Sequence, residues 1–218
     1  MRQRARKAED KQERRGAILE VALEAFEAGS FADVKMSEVA ERAGLAKGTV
    51  FLYFPTKEAL FLALLEERLA GWFDAFGREL SQGQTAWTAK HAAEVVASTV
   101  VAHEPLARLL TLLHVILELN VERESVQRFK AMLLERVSHA GALLEARLPF
   151  LAGGEGGQFL LHLHALVIGL RQMADNGGVV KEVLDEPRMA PLRVDFAREL
   201  EAVVERMLVG AEAKSARG

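Results

Sequence analysis

Apolar positions along this chain recur with the period of an α-helix almost from end to end. Leu19, Ala22, Leu23 and Phe26 fall at i, i+3, i+4 and i+7, one face of a helix that the spacing starts near residue 14 and Gly29 stops. Met36, Val39, Ala40 and Ala43 repeat the pattern, with Ser37 placed as a cap and Gly44 as terminator. A helix so short must lean on neighbours. A third short helix is predicted from about Lys47 to Phe54, ended by Pro55. Thr56 then caps a long fourth, whose stripe runs through Leu60, Phe61, Leu64 and Leu65 to Trp72, Phe73 and Phe76. Further helices are predicted at roughly 85–103, 105–118, 122–148, 157–175 and 192–210, Pro105 suiting a first turn. The glycine-rich stretches Ala152–Gly157 and Asn176–Gly178 read as loops; neither follows a strand or carries the GK[ST] ending of a phosphate loop. No apolar/polar alternation bounded by turn residues marks a strand. The expected fold class is all-α.

Composition narrows the class. Hydrophobic residues make up 50% of the 218 and charged residues 27%, the balance of a soluble globular chain with a full core in one domain or two. The apolar run Leu109–Leu119 breaks off short of membrane-spanning length, and charge rather than an apolar stretch follows the first basic residues, so neither a membrane span nor a signal peptide is expected. There is no cysteine, which removes disulfides and thiolate metal sites and fits a cytoplasmic location. The net charge of −3 hides an uneven distribution. Arg2, Arg4, Arg6, Lys7, Lys11, Arg14 and Arg15 stand against Glu9, Asp10 and Glu13, while the excess acid lies beyond about residue 60. A basic arm on an acidic body suggests a face for a polyanion, and a solvated terminus that aids solubility fits the charge equally well.

The stretch Ser37–Lys57 carries the sharper signal. Two short helices joined by a glycine-containing turn make a helix-turn-helix, whose second helix enters the DNA major groove. Ala40 and Ala43 let the helices approach, and Leu45, Val50 and Phe54 anchor the second one. Lys47, Gly48, Thr49 and Leu52 are left towards the groove. Gly48 permits close backbone approach, and Thr49 offers a hydroxyl and a methyl to base edges. Tyr53 and Lys57 are placed for phosphates, and Ser37 completes the set of DNA-contact candidates.

The run Val39-Ala40-Glu41-Arg42-Ala43-Gly44-Leu45-Ala46-Lys47-Gly48-Thr49-Val50, followed by Tyr53-Phe54 and Lys57-Glu58-Ala59-Leu60, resembles the signature of the TetR family of transcriptional regulators. Its place after a single amphipathic helix matches too, and the resemblance covers roughly residues 14–62; the remainder matches in helical character and length. It implies an N-terminal three-helix DNA-binding domain with a basic arm (residues 1–57) and a C-terminal helical ligand-binding and dimerisation domain (58–218). Three positions depart from the family pattern. Ala46 replaces the usual polar cap, a loss of about 1 kcal/mol. Phe51 replaces a common tyrosine and so lacks a phosphate-binding hydroxyl. Leu52 stands where a polar residue is frequent, and can touch a thymine methyl. These changes bear on the operator sequence more than on DNA binding.

For the C-terminal half the resemblance implies a homodimer and a ligand pocket. Phe196, Leu200, Val203, Val204 and Met207 form an apolar stripe on the last helix, and Leu161, Ala165 and Gly169 align on the helix before it. Such a pair can build a four-helix bundle across a two-fold axis, although part of each stripe must face its own core. Polar residues interrupting apolar helices mark the pocket candidates: His103, Arg108, His114, Glu118, Asn120, Arg171 and Gln172, with Trp72, Phe73 and Phe76 as apolar walls. His114 and Glu118 share a helix face but are too few to hold a metal. No catalytic motif stands out, and no cofactor is expected. The reading is of a repressor on double-stranded palindromic operator DNA, released by a small, largely apolar effector. That effector would wedge between the Trp72–Phe76 cluster and the His103–Asn120 region, tilting the fourth helix and spoiling the 34–36 Å or so that separates paired recognition helices. A helical enzyme, or an interaction protein using the C-terminal cavity, is the alternative.

Overall fold

A computed structural model describes residues 2–83 and 85–217, with side chains described from Glu9 onward. Its regular structure is helical, and no strand occurs among the described residues. The α-helices are α1 (Arg2–Glu27), α2 (Met36–Arg42), α3 (Lys47–Tyr53), α4 (Lys57–Ser81), α5 (Ala89–Ala102), α6 (Glu104–Leu112), α7 (Arg123–Arg147), α8 (Glu155–Ala174), α9 (Gly178–Asp185) and α10 (Phe196–Ser215). A π turn, Leu113–Leu117, follows α6, and a 3-10 turn, Pro187–Leu192, follows α9. Among the described residues no single helix is long and apolar enough to cross a membrane.

Several elements differ from expectation for local reasons. Helix α1 starts at Arg2, not near residue 14, because alanine, lysine, arginine and glutamine are good helix formers even without an apolar stripe. The side chains of Arg2, Arg4, Arg6 and Lys7 lie outside the described residues. Ser37 does not cap α2: the helix begins one residue earlier, and extended Lys35 occupies the cap position without a side-chain cap bond. Gly44 does end α2, at φ +67°, with the Leu45 N–H donating to the Ala40 carbonyl at 2.9 Å. Ala46 precedes α3 with no side-chain cap. Thr56 caps α4 as expected, its Oγ1 accepting from the Ala59 N–H at 3.0 Å. Helix α10 starts at Phe196, after the 3-10 turn, with Asp195 as its cap.

The chain forms two compact units. The first runs up to Glu67 and includes Leu113–Val126; the second holds Arg68–Leu112 and the chain from Gln127 onward. The division thus falls inside α4, where the sequence reading places its boundary at 57/58. In the first unit Ile18, Leu19 and Ala22 of α1, Val39 and Ala40 of α2, and Val50 of α3 are buried with Leu60, Leu64 and Leu65 of α4. Phe61 meets Phe26 and Phe31 edge-on, with ring centroids 5.4 and 4.8 Å apart.

In the second unit α10 packs along α5 and against α8, and α6 packs against α8. Buried alanines on α5 (Ala89, Ala92, Ala93, Ala97) face a partner helix whose Leu200, Val204 and Leu208 are fully covered; small residues permit such close crossing. Arg147, 7% exposed, closes the far end of α4. Its Nε donates to the Leu80 carbonyl at 2.6 Å, and its Nη atoms donate to the carbonyls of Gln82, Gly83 and Thr85. Carbonyl oxygens at a helix C-terminus carry partial negative charge and so compensate a buried cation.

Helices α7 and α8 meet backbone to backbone. A Cβ on Gly141 would lie 2.6 Å from the Gly157 nitrogen, and one on Gly156 would strike the Gly141 carbonyl. Beside this crossing Glu145 of α7 accepts the N–H groups of Gly154 and Gly156 at 2.8 and 2.9 Å, capping α8 from a neighbouring helix. The glycine-rich stretch is therefore partly helix; Gly156 serves the crossing, while Gly154, at φ +90°, serves the turn that leads into α8. Gly156→Ala is expected to lower unfolding stability by about 1–3 kcal/mol in urea titrations. Gly210→Ala, in open space on α10, should raise it by up to about 1 kcal/mol.

Candidate nucleic-acid interface

Helix α3 is only seven residues long, so burial fixes its orientation. Val50 is 0% exposed and Phe54, at its end, 4%; these two face inward. Lys47, Gly48, Phe51 and Leu52 are exposed, while Thr49 and Tyr53 are half-buried. Leu52 is 85% exposed, far more than the neighbouring Phe51 at 38%. Lys47 Nζ lies 5.9 Å from the centre of the Phe51 ring, a cation–π pair one turn apart. An ion pair between Arg42 and Glu24 links α2 to α1 on the surface.

Ser37 is exposed in the first turn of α2. Lys57 sits otherwise than a free phosphate ligand would. Its Nζ lies 4.3 Å from the Phe31 ring centre and donates to the Ala32 carbonyl at 3.3 Å, and burial pulls its ammonium pKa below the usual lysine value. Reaching a phosphate would require it to leave that seat. Phe51 is the surface residue that the sequence reading treats only as a missing hydroxyl. The signal that finds it is helical phase, since it falls four residues after Lys47.

The pocket candidates are not brought together in one unit. Trp72, Phe73 and Phe76 lie buried in the second unit, Trp72 stacked on Phe76 at 5.2 Å and edge-on to Phe73 at 4.8 Å. The Trp72 Nε1–H is buried without an acceptor among the described residues. His103, at the end of α5, has Nδ1 2.8 Å from the Thr99 carbonyl. Arg108 is half-buried and Gln172 exposed. Arg171 pairs with Glu104 at 3.1 Å and Asp175 at 2.8 Å. His114, Glu118 and Asn120 belong to the first unit. There Glu118 pairs with His114 at 3.0 Å, and the Asn120 carbonyl accepts from Thr56 Oγ1 at 3.2 Å. Among the described residues no three His, Asp or Glu side chains converge as a metal site.

Two openings flank α4 in the second unit. One, of about 600 Å³, lies between α4 and α7, with Phe73, Gly77 and Leu143 beside Arg78, His139 and the Arg136–Asp74 ion pair. The other, of about 410 Å³, lies between α4 and α5 and has His103 on its rim. The predicted dimer stripes divide in the same plain way. Leu161 (58% exposed) and Ala165 face outward on α8, with Gly169 half-buried. Phe196, Val203 and Met207 are half-buried, and Leu200 and Val204 are covered by their own unit.

Comparison with known proteins fits this geometry. RutR, an HTH-type transcriptional regulator of Escherichia coli, is 41% identical over 56 residues, 26% of this chain and 26% of its own. The fatty acid metabolism regulator protein of Bacillus subtilis is 28% identical over 69 residues, 32% of this chain and 36% of its own. The chain thus spans about a quarter to a third of the length of these curated relatives. Among solved structures, a tetR-family regulator from Streptomyces coelicolor superposes with a TM-score of 0.57 at 19% identity, over 94% of this chain and 83% of that one. The fatty acid degradation regulator FadR of Bacillus halodurans gives 0.55 at 18%, over 89% and 93%. Both share the fold. The family model for bacterial regulatory proteins of the tetR family matches residues 18–64, and that for the tetracyclin repressor-like C-terminal domain matches 66–215. The chain belongs to the TetR family of bacterial transcriptional regulators.

Proposed function

We propose that this protein is a homodimeric, cytoplasmic repressor that leaves a palindromic operator when a small, largely apolar ligand binds its C-terminal domain. The carrying observation is α3, fixed by Val50 and Phe54 and exposed along its outer face, the arrangement of a recognition helix. Family membership supports it. In this reading residues 1–57 grip DNA and 58–218 bind ligand and partner. Lys47, Thr49 and Leu52 face base edges, Gly48 lets the backbone close in, and Tyr53, Ser37 and a reseated Lys57 touch phosphates.

Enrichment of random double-stranded DNA by the purified protein is expected to return a palindrome. On that site Lys47→Ala or Thr49→Ala should change base preference at particular positions by about 1–3 kcal/mol. A uniform loss on every sequence would reduce these residues to positioning.

The outward face of α8 supports the dimer, since Leu161 is a large apolar side chain left open beside the small Ala165. Leu161→Arg is expected to convert the dimer to monomer in sedimentation velocity at micromolar concentration. An unchanged dimer would move the interface elsewhere.

The ligand site is proposed around Trp72, Phe73 and Phe76, where an acceptor on the ligand would satisfy the unpartnered Trp72 Nε1–H. Stearoyl-CoA, held by the similarly folded Bacillus subtilis FadR, is a first probe alongside uncharged apolar compounds. In a Trp87→Phe background, Trp72 fluorescence should shift as an effective compound is titrated, and operator affinity should fall in parallel. Loss of affinity with no change in Trp72 emission would place the ligand away from this cluster.

A further inference from the structure

An α-helix turns about 100° per residue, so residues four apart share a line along it. Val50 and Phe54 occupy the inward line of α3. Gly48 and Leu52 occupy the line about opposite, the one that meets a groove first. Neither has a side chain able to form a hydrogen bond. The space around Gly48 is open, which leaves Leu52, 85% exposed, as the protruding side chain of that line. Groups with donors or acceptors stand to either side: Thr49 and Tyr53 along one flank, Lys47 on the other, where it is held over Phe51, itself 38% exposed. The leading edge of this recognition helix is therefore hydrocarbon, flanked by polarity.

Base edges in the major groove offer hydrocarbon in one form, the C5-methyl group of thymine. We infer that Leu52, with Phe51 beside it, reads thymine methyl groups at the centre of each operator half-site, so that the operator is specified there by a methyl and not by a hydrogen-bond pattern. The inference rests on the operator reading above and names the base feature that site takes. Cation and hydrocarbon lie side by side on α3, which commits the exposed apolar pair to DNA: Lys47 supplies the charge that a polyanion attracts. A protein partner for the Phe51–Leu52 pair is the competing occupant.

The test uses the full-length protein and the operator recovered from random DNA. Each thymine of one half-site is replaced in turn by deoxyuridine, which keeps the Watson–Crick pairing and every hydrogen-bonding group but lacks the methyl. Wild-type protein should bind about fourfold more weakly at one or two central positions, the effect of losing one buried methyl-sized group, and be indifferent elsewhere. Leu52→Ala, a change at a surface position that leaves the fold intact, should bind the natural operator more weakly and no longer distinguish thymine from uracil at those positions. Tight operator binding that is unaffected by deoxyuridine at every position, or a half-site without thymine opposite α3, would overturn the methyl reading while leaving the regulator reading standing. Recovery of no DNA sequence at all would overturn both.

Discussion

Seven-residue helices do not hold themselves together in water, and that constraint governs the N-terminal unit. Helices α2 and α3 exist because Val39, Ala40, Val50 and Phe54 are buried in a core shared with α1 and the start of α4. The edge-on contacts of Phe61 with Phe26 and Phe31 give that core a specific geometry. Neither short helix has a side-chain cap. Their direction is set by inward anchors, and the outward residues are free of any packing duty. A surface free of packing duty is one on which recognition can be built without cost to the fold.

The second unit meets a different problem: long helices must be brought close and turned sharply. Two devices do this. At the Gly141–Gly156 crossing, α7 and α8 touch through backbone. At the end of α4, Arg147 gathers the carbonyls of Leu80, Gln82, Gly83 and Thr85 around one guanidinium, while its own carbonyl accepts from the Trp87 N–H at 2.8 Å. One side chain thereby satisfies carbonyls at the end of α4 and just beyond it that no helix hydrogen bond among the described residues uses.

Hydrophobic period makes α2 to α8, α10 and the second half of α1 legible in the sequence, because each buries one stripe; the first half of α1 has none. It missed α9 and the 3-10 turn, where Gly177, Gly178, Pro187 and Pro191 break the pattern and little apolar surface is covered. The widening at Leu113–Leu117 was illegible for another reason. A π turn adds a residue to the loop of each hydrogen bond, here Glu118 N–H to the Leu113 carbonyl at 3.0 Å, and packing decides where that happens. Ser37 misled because a good capping residue is no cap when the backbone turns helical one position earlier. The helix-turn-helix site was readable as a local pattern. Which unit each pocket candidate belongs to was not: period tells which way a side chain points along its own helix, and says nothing of which unit claims it. Arg147 and Glu145 looked like ordinary charges near a helix end, since their partners come from distant segments.

Gly48 carries a consequence for how this protein can vary. It lies inside α3 with an ordinary backbone conformation and nothing within 4 Å of where a Cβ would stand. Alanine there would improve helix propensity by about 1 kcal/mol. Folding alone therefore pulls against glycine at this position, unlike Gly156, which the α7–α8 crossing demands. Under selection for stability without DNA, position 48 should drift to alanine while position 156 stays fixed. A glycine that persists at 48 across descendants is a mark left by the groove.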